Sequence, residues 1–243
     1  MTPVDLPFGQ VLYQPRTTSR HVYFPNDCTV SLVAVADRSS GGLEVGLVGR
    51  EGMVGIPFAL GVSTSPVRAL VQGAGSAMRM TSARFGRELK RNPPLQRELD
   101  RCTYVAMATA MQIAVCNNEH LLEARLARWL LMTRDRVGSD RFRSTQESIA
   151  LMLGVRRVGV TTAASILQRR KLIRYSRGTM QILDSNGLLA VSCSCYEVIR
   201  KLERDQRRGN RTAAMSSRLL PSPLASFAGQ LQTGALPPSG AKA

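Results

Sequence analysis

The sequence predicts an α+β chain with an antiparallel β-domain in front, a long helical middle and a compact C-terminal unit of helices closed by a β-hairpin. Three observations lead there. Short apolar runs separated by turn formers fill the chain to about residue 90, a long stretch without Pro or Gly comes next, and two short amphipathic segments meet at Gly154.

The first runs are HVYFP before Asn26-Asp27, TVSLVAVA before DRSSGG, LEVGLVG before REG, and VRALVQ before GAG. Runs of this length with Gly and Asn-Asp punctuation read as strands. Because no amphipathic helices lie between them, they suggest a small antiparallel barrel or sandwich rather than α/β units. Residues 1–94 form this expected domain. Asn92, Pro93 and Pro94 break the chain after it.

From Leu95 to Val137 the chain has no Pro or Gly and reads as helical. Leu95, Leu99, Cys102, Ala106, Thr109, Ile113 and Cys116 step alternately by four and three residues, a heptad-like seam. Periodicity alone leaves two partners open, a second copy of the chain or the chain's own β-domain. Asn117 and Asn118 read as a cap. Beyond them Leu122, Leu126, Trp129 and Leu130 share one face of a second helix, with arginines opposite. Residues 95–137 are thus expected to hold the dimerisation and connecting helices.

Gly138, Ser139 and Asp140 open the C-terminal unit, residues 138–212. Thr145, Gln146 and Glu147 start a helix that buries Ile149, Leu151 and Met152 and breaks at Gly154. A second helix continues through Val160, Ala164 and Leu167. This is a helix-turn-helix pattern, in which a glycine able to take a positive φ permits the sharp crossing. Arg156, Arg157, Thr161 and Thr162 fall on the exposed start of the second helix. A guanidinium fork can meet guanine O6 and N7, and threonine can bond a base edge or touch a thymine methyl. LIRYSRGTMQIL then reads as a β-hairpin with Arg177 at its tip, suited to a wing, and Gln146 at the helix start suits a phosphate contact. Residues 213–243 are rich in Ala, Ser, Pro and Gly and read as a disordered tail.

Charge supports a polyanionic partner. The net charge is +16, and residues 139–218 carry 16 Lys plus Arg against 6 Asp plus Glu. No stretch approaches the roughly 18 to 20 apolar residues of a membrane span. The N-terminus also lacks a basic region followed by an apolar run, so a cytoplasmic, nucleoid-associated protein without membrane contact is expected.

Five cysteines without a secretion signal are expected as reduced thiols. Cys193 and Cys195 stand closer than the usual zinc-knuckle gap, with neither His21 nor His120 near them in sequence, so no metal site and no cofactor are expected. Cys102 and Cys116 read as small core residues rather than redox sensors, and His120 as a surface or capping residue.

TQE, LMLGVRRVGVT and LQRRKLIRYSRG together resemble the DNA-binding domain of Crp/Fnr-type transcription regulators. The resemblance extends through HLLEARLARWLLMTRDRVGSD, similar to the helix joining the two domains there, and VGREGMVG, similar to turns of the sensory β-roll. It covers roughly residues 20–200. The resemblance implies a cyclic-nucleotide-binding-like β-roll, a long dimerisation helix and a winged helix-turn-helix. It further implies a homodimer acting on palindromic promoter sites in double-stranded DNA through contact with RNA polymerase.

By family position Arg157, Val158, Thr161 and Thr162 face the bases, with Val158 where the family often has Glu. In cyclic-nucleotide binders of the family a Gly-Glu pair and a later Arg hold ribose and phosphate. Here Ile56 follows Gly55, and Ser65 stands in the Arg position, so cyclic AMP is not expected as the effector. Glu51 and Arg68 remain weak candidates for another small effector, beside the plainer reading of a surface turn and a barrel salt bridge. A single Cys28 in the first hundred residues does not match the iron–sulfur branch of the family.

No nucleophile–base pair, carboxylate pair or Gly-rich phosphate loop supports an enzyme. The alternative to DNA binding is a small-molecule sensor that signals through protein contact alone.

Overall fold

The computed structural model describes residues 1–35 and 42–216, with side chains to residue 206. The expected disordered tail from residue 217 onward lies outside the described residues.

The N-terminal part is two facing antiparallel sheets. One has the order β1(Thr2–Leu6), β7(Gly75–Thr81), β3(His21–Pro25); the other runs β2(Val11–Tyr13), β6(Val67–Gly73), β4(Thr29–Ala34), β5(Leu43–Val48). Val30, Ala69 and Val71 from one sheet and Leu6, Tyr23 and Ala77 from the other fill the space between them. A one-turn helix, α1(Ile56–Ala59), starts after Gly55, whose φ of 113° only glycine adopts without strain.

The four expected strands are present, and three further strands join them. β1 and β2 are too short or too polar to stand out in sequence, and β7 begins at a glycine that reads as a turn. The end of this segment is also helical rather than extended. Thr81 accepts from the Arg84 amide and starts α2(Ser82–Arg91), which buries Phe85 and Leu89.

Asn92-Pro93-Pro94 begins a helix instead of merely ending one. The Asn92 side chain accepts from the Leu95 amide, and the two prolines occupy the first turn, where their missing N–H groups cost nothing. α3(Pro93–Glu119) then runs straight through Asn117 and Asn118, so the break lies at His120 and Leu121 rather than at the asparagines.

The seam of α3 packs on its own chain. Leu95, Leu99 and Cys102 join Phe24, Met78 and Phe85, while Ile113 enters the core around Trp129. Exposed instead are Tyr104, Met107, Met111 and Val115, a second apolar stripe on the helix.

α4(Leu122–Val137) differs from the expected half-buried helix. It is buried all round from Arg125 to Thr133, arginines included, because it lies among β5, α6, α7 and α8. Glu44 of β5 accepts from Trp129 Nε1 at 3.1 Å, and Arg136 bonds both Leu47 O and Glu51, so α4 ties the β-domain to the helical part of the chain.

The C-terminal part comprises β8(Arg141–Arg143), α5(Gln146–Leu153), α6(Arg157–Arg169), β9(Ile173–Ser176), β10(Thr179–Ile182), α7(Ser185–Val191) and α8(Cys195–Ser216). Its small sheet has the order β8, β10, β9. α8 extends past residue 212, into the stretch expected to be a tail, and packs along α3. Among the described residues no single helix is long and apolar enough to cross a membrane.

Candidate nucleic-acid interface

α5 and α6 are short helices whose ends are set by local chemistry. The Thr145 hydroxyl accepts from the Ser148 amide at 3.0 Å and caps α5. Gly154 ends it at φ 64°, and the chain turns through 107° before α6 resumes at Arg157. That angle lies in the range of helix-turn-helix units. Ile149, Met152 and Leu153 of α5 and Val160, Ala163, Ala164 and Leu167 of α6 close over Leu126, Trp129 and Leu130 of α4. The other face of α6 is left to solvent.

That face holds the residues singled out in the sequence. Arg156 is the N-cap of α6, and Arg157, Val158, Thr161 and Thr162 are exposed, Val158 to 67%. A large aliphatic side chain so exposed at a helix start is available for contact with a thymine methyl. The Thr161 hydroxyl lies 2.9 Å from Gln146 Oε1 and 3.1 Å from Arg157 O, so the first residue of α5 is joined to the exposed face of α6. Accepting through Oε1 leaves the Gln146 side-chain nitrogen as a donor. The exposed Thr162 donates back to Val158 O at 3.1 Å.

The wing stands beside this face. β9 and β10 pair from Thr179–Ser176 to Ile182–Ile173, joined by a tight turn in which Arg177 and Gly178 take φ of 48° and 76°. These are the two positive φ values of a type I′ hairpin. Arg177 is exposed at the tip.

Two residues not singled out in the sequence fix the wing to the helices. Gln168 of α6 accepts from the Tyr175 amide at 2.8 Å, and the Tyr175 hydroxyl accepts from the Gln146 amide at 3.2 Å. Their only sequence signal is a polar residue near the end of an amphipathic helix and an aromatic one in a strand. Arg157, Gln146 and Arg177 therefore sit on one framework rather than on separate loops.

Glu51 and Arg68 are not brought together. Glu51 accepts from the Gly49 amide and pairs with Arg136 at 2.9 Å, while Arg68 Nε donates to Gln14 at 3.2 Å. Ser65 is buried, and its hydroxyl accepts from the Val67 amide, so the position supplies no cation.

Two of the cysteines meet a histidine that sequence spacing alone does not place beside them. His120 is far from Cys193 and Cys195 in sequence, yet its Nδ1 lies 3.6 Å from Cys195 Sγ, because the start of α8 returns to the end of α3.

A family model described as a Crp-like helix-turn-helix domain matches residues 124–191. Among solved structures, FixK2 from Bradyrhizobium japonicum superposes with a TM-score of 0.68 at 13% identity, covering 79% of this chain and 98% of that one. A CRP-family transcriptional regulator from Thermus thermophilus gives 0.66 at 18% identity, covering 79% and 96%. Residues 124–191 are thus a Crp-like helix-turn-helix domain, in a chain that shares its fold with Crp/Fnr-type regulators.

A regulator assigned to the Crp/Fnr family from Eubacterium rectale gives 0.64 at 16% identity, covering 78% and 88%. No curated protein sequence matches the chain. The matched Crp-like segment begins inside α4 and ends with α7, so it takes in the helix-turn-helix and the wing. The proteins from Thermus thermophilus and Eubacterium rectale are themselves described as transcriptional regulators.

Proposed function

We propose that this chain is a Crp/Fnr-type regulator, a homodimer that binds palindromic promoter DNA and regulates transcription. The observation that carries the reading is the exposed start of α6, where Arg157, Val158, Thr161 and Thr162 project beside Gln146 and the Arg177 wing tip. Arg157 reads a guanine, Val158 and Thr162 contact methyl groups or base edges, and Gln146 and Arg177 bond phosphates.

Dimerisation uses the stripe Tyr104, Met107, Met111 and Val115 of α3, which is 51% to 60% exposed. Four large apolar side chains on one exposed helical stripe match a helix-to-helix partner better than water. Pairing along α3 would set the two α6 helices to read half-sites about one DNA turn apart.

The effector is not a cyclic nucleotide held by an arginine clamp. Ser65 bonds its own turn, and Glu51 and Arg68 are each committed to separate local partners. Contact with RNA polymerase is proposed from the family type.

The test is fluorescence anisotropy on promoter fragments across a salt series. Wild type should bind with a steep negative slope of log K against log salt, and Arg157→Glu should lose specific binding. Unchanged promoter affinity of that variant would favour a sensor that signals through protein contact alone.

A further inference from the structure

Four potential metal ligands from distant parts of the chain meet at one point. Cys116 and His120 lie one helical turn apart at the C-terminal end of α3, and Cys193 and Cys195 flank the start of α8. Their three sulfurs and one ring nitrogen all lie within 4.8 Å of one another. We propose that Cys116, His120, Cys193 and Cys195 bind a single tetrahedral zinc ion that fastens the end of α3 to the start of α8.

The distances fit the edges of a tetrahedron around one ion. Zinc–sulfur bonds of about 2.3 Å in tetrahedral geometry put ligand sulfurs about 3.8 Å apart, and a sulfur and a nitrogen about 3.6 Å apart. Cys116 Sγ and Cys193 Sγ are separated by 3.4 Å, and Cys195 Sγ and His120 Nδ1 by 3.6 Å. A disulfide would need about 2.05 Å. A multi-iron cluster would spread its ligands wider than the compact set found here. Three sulfurs and one imidazole form a closed donor set, which is the composition of structural zinc sites.

The surroundings fit an anionic centre. On binding, three thiols release three protons to solvent, and zinc with three thiolates and a neutral imidazole carries one net negative charge. Arg128 is buried at 3% exposure beside the cluster; its charge acts on both Cys116 and the buried Glu44, but it makes no contact ion pair among the described residues. Its Nε has no hydrogen-bond partner, and its Nη1 faces only Met132 Sδ. A buried guanidinium favours negative charge nearby, and a thiolate centre would add to that of Glu44. The Gln112 amide also donates to Cys195 Sγ at 3.1 Å, the kind of outer contact that orients a thiolate ligand. Three of the four ligands are buried and His120 is half-buried, so the centre is shielded yet reachable from one side.

The full-length chain, purified under reducing conditions, should hold one zinc per chain by elemental analysis. After exchange for cobalt(II), it should show the visible bands of a tetrahedral ion together with sulfur-to-cobalt charge transfer. Cys193→Ser should lose the metal, whereas Cys28→Ser, in the β-domain, should keep it. His120→Cys guards against a variant that fails to fold, since it should retain cobalt and strengthen the charge-transfer band by adding a fourth sulfur. The proposal is overturned by a reduced wild-type chain that takes up neither zinc nor cobalt, by acid-labile sulfide in place of zinc, or by retention of full metal content in Cys193→Ser.

Discussion

Replacing Glu44 by Gln isolates the electrostatic cost of joining the β-domain to the helical part. The Glu44 carboxylate is buried between Ser31 and Trp129, accepting from both. Burial pushes its carboxyl from the ordinary 4.5 up to about 7, against the opposing pull of Ser31, Arg128 and Arg136. A carboxyl raised in the folded state binds its proton more tightly there than in the unfolded chain. The associated stability is therefore complete below the unfolded value and is lost as pH rises through about 7. At about 1.4 kcal/mol per pH unit the loss is on the order of 3 kcal/mol.

Gln keeps an acceptor for Trp129 and gives Ser31 a donor, but it has no proton to lose. Urea unfolding of wild type and Glu44→Gln at pH 4.5 and pH 8 measures the difference, and other titrating groups cancel in the comparison. The stability of the variant relative to wild type should rise by roughly 3 kcal/mol between those pH values. A relative stability that stays flat with pH would show that Glu44 ionises like an exposed carboxyl. A fall would show that Arg128 and Arg136 outweigh burial.

Three other perturbations probe separate parts of the molecule. Gly154→Ala should cost roughly 1 to 2 kcal/mol from the left-handed backbone alone, and more because its Cβ would lie 2.9 Å from Leu43 Cδ1; thermal unfolding reads this. Met111→Glu, on an exposed site, should change monomer stability by about 0.5 kcal/mol or less yet shift the chain from dimer to monomer in sedimentation velocity. A strong zinc chelator should lower the melting temperature by roughly 10 °C, the equivalent of about 4 kcal/mol for a ligand held at a thousand times its Kd in a chain of this size; no shift would mean the ion adds nothing to the fold.

The helix-turn-helix was legible because its signals are local. Thr145 at a cap, Gly154 at a positive φ and the helical spacing of Val160, Ala164 and Leu167 each require only a few neighbouring residues. The wing was legible for the same reason, since Arg177-Gly178 is a short turn between two apolar runs.

Features that depend on tertiary arrangement were not. The spacing of Leu99, Cys102 and Ile113 shows that one face of α3 is buried, but not against what. That face belongs to the chain's own core, which leaves Tyr104, Met107, Met111 and Val115 outside. Arg125 and Arg128 read as a solvated face because periodicity cannot see that elements close over α4 from several sides. The cysteine–histidine cluster was hidden by a sequence separation of 77 between Cys116 and Cys193, and only the return of α8 to α3 brings the pair together.

The most direct test of the DNA-reading role of α6 is selection of genomic DNA fragments by the purified full-length protein at physiological salt, run in parallel with Arg157→Ala. Wild type should enrich a palindromic motif with half-sites about one helical turn apart, and the variant should relax the base preference at one symmetric pair of positions, at a cost of about 1 to 3 kcal/mol. Recovery of no motif by the wild-type protein, or of the same motif with undiminished preference by Arg157→Ala, would contradict the assignment of α6 as the helix that reads DNA.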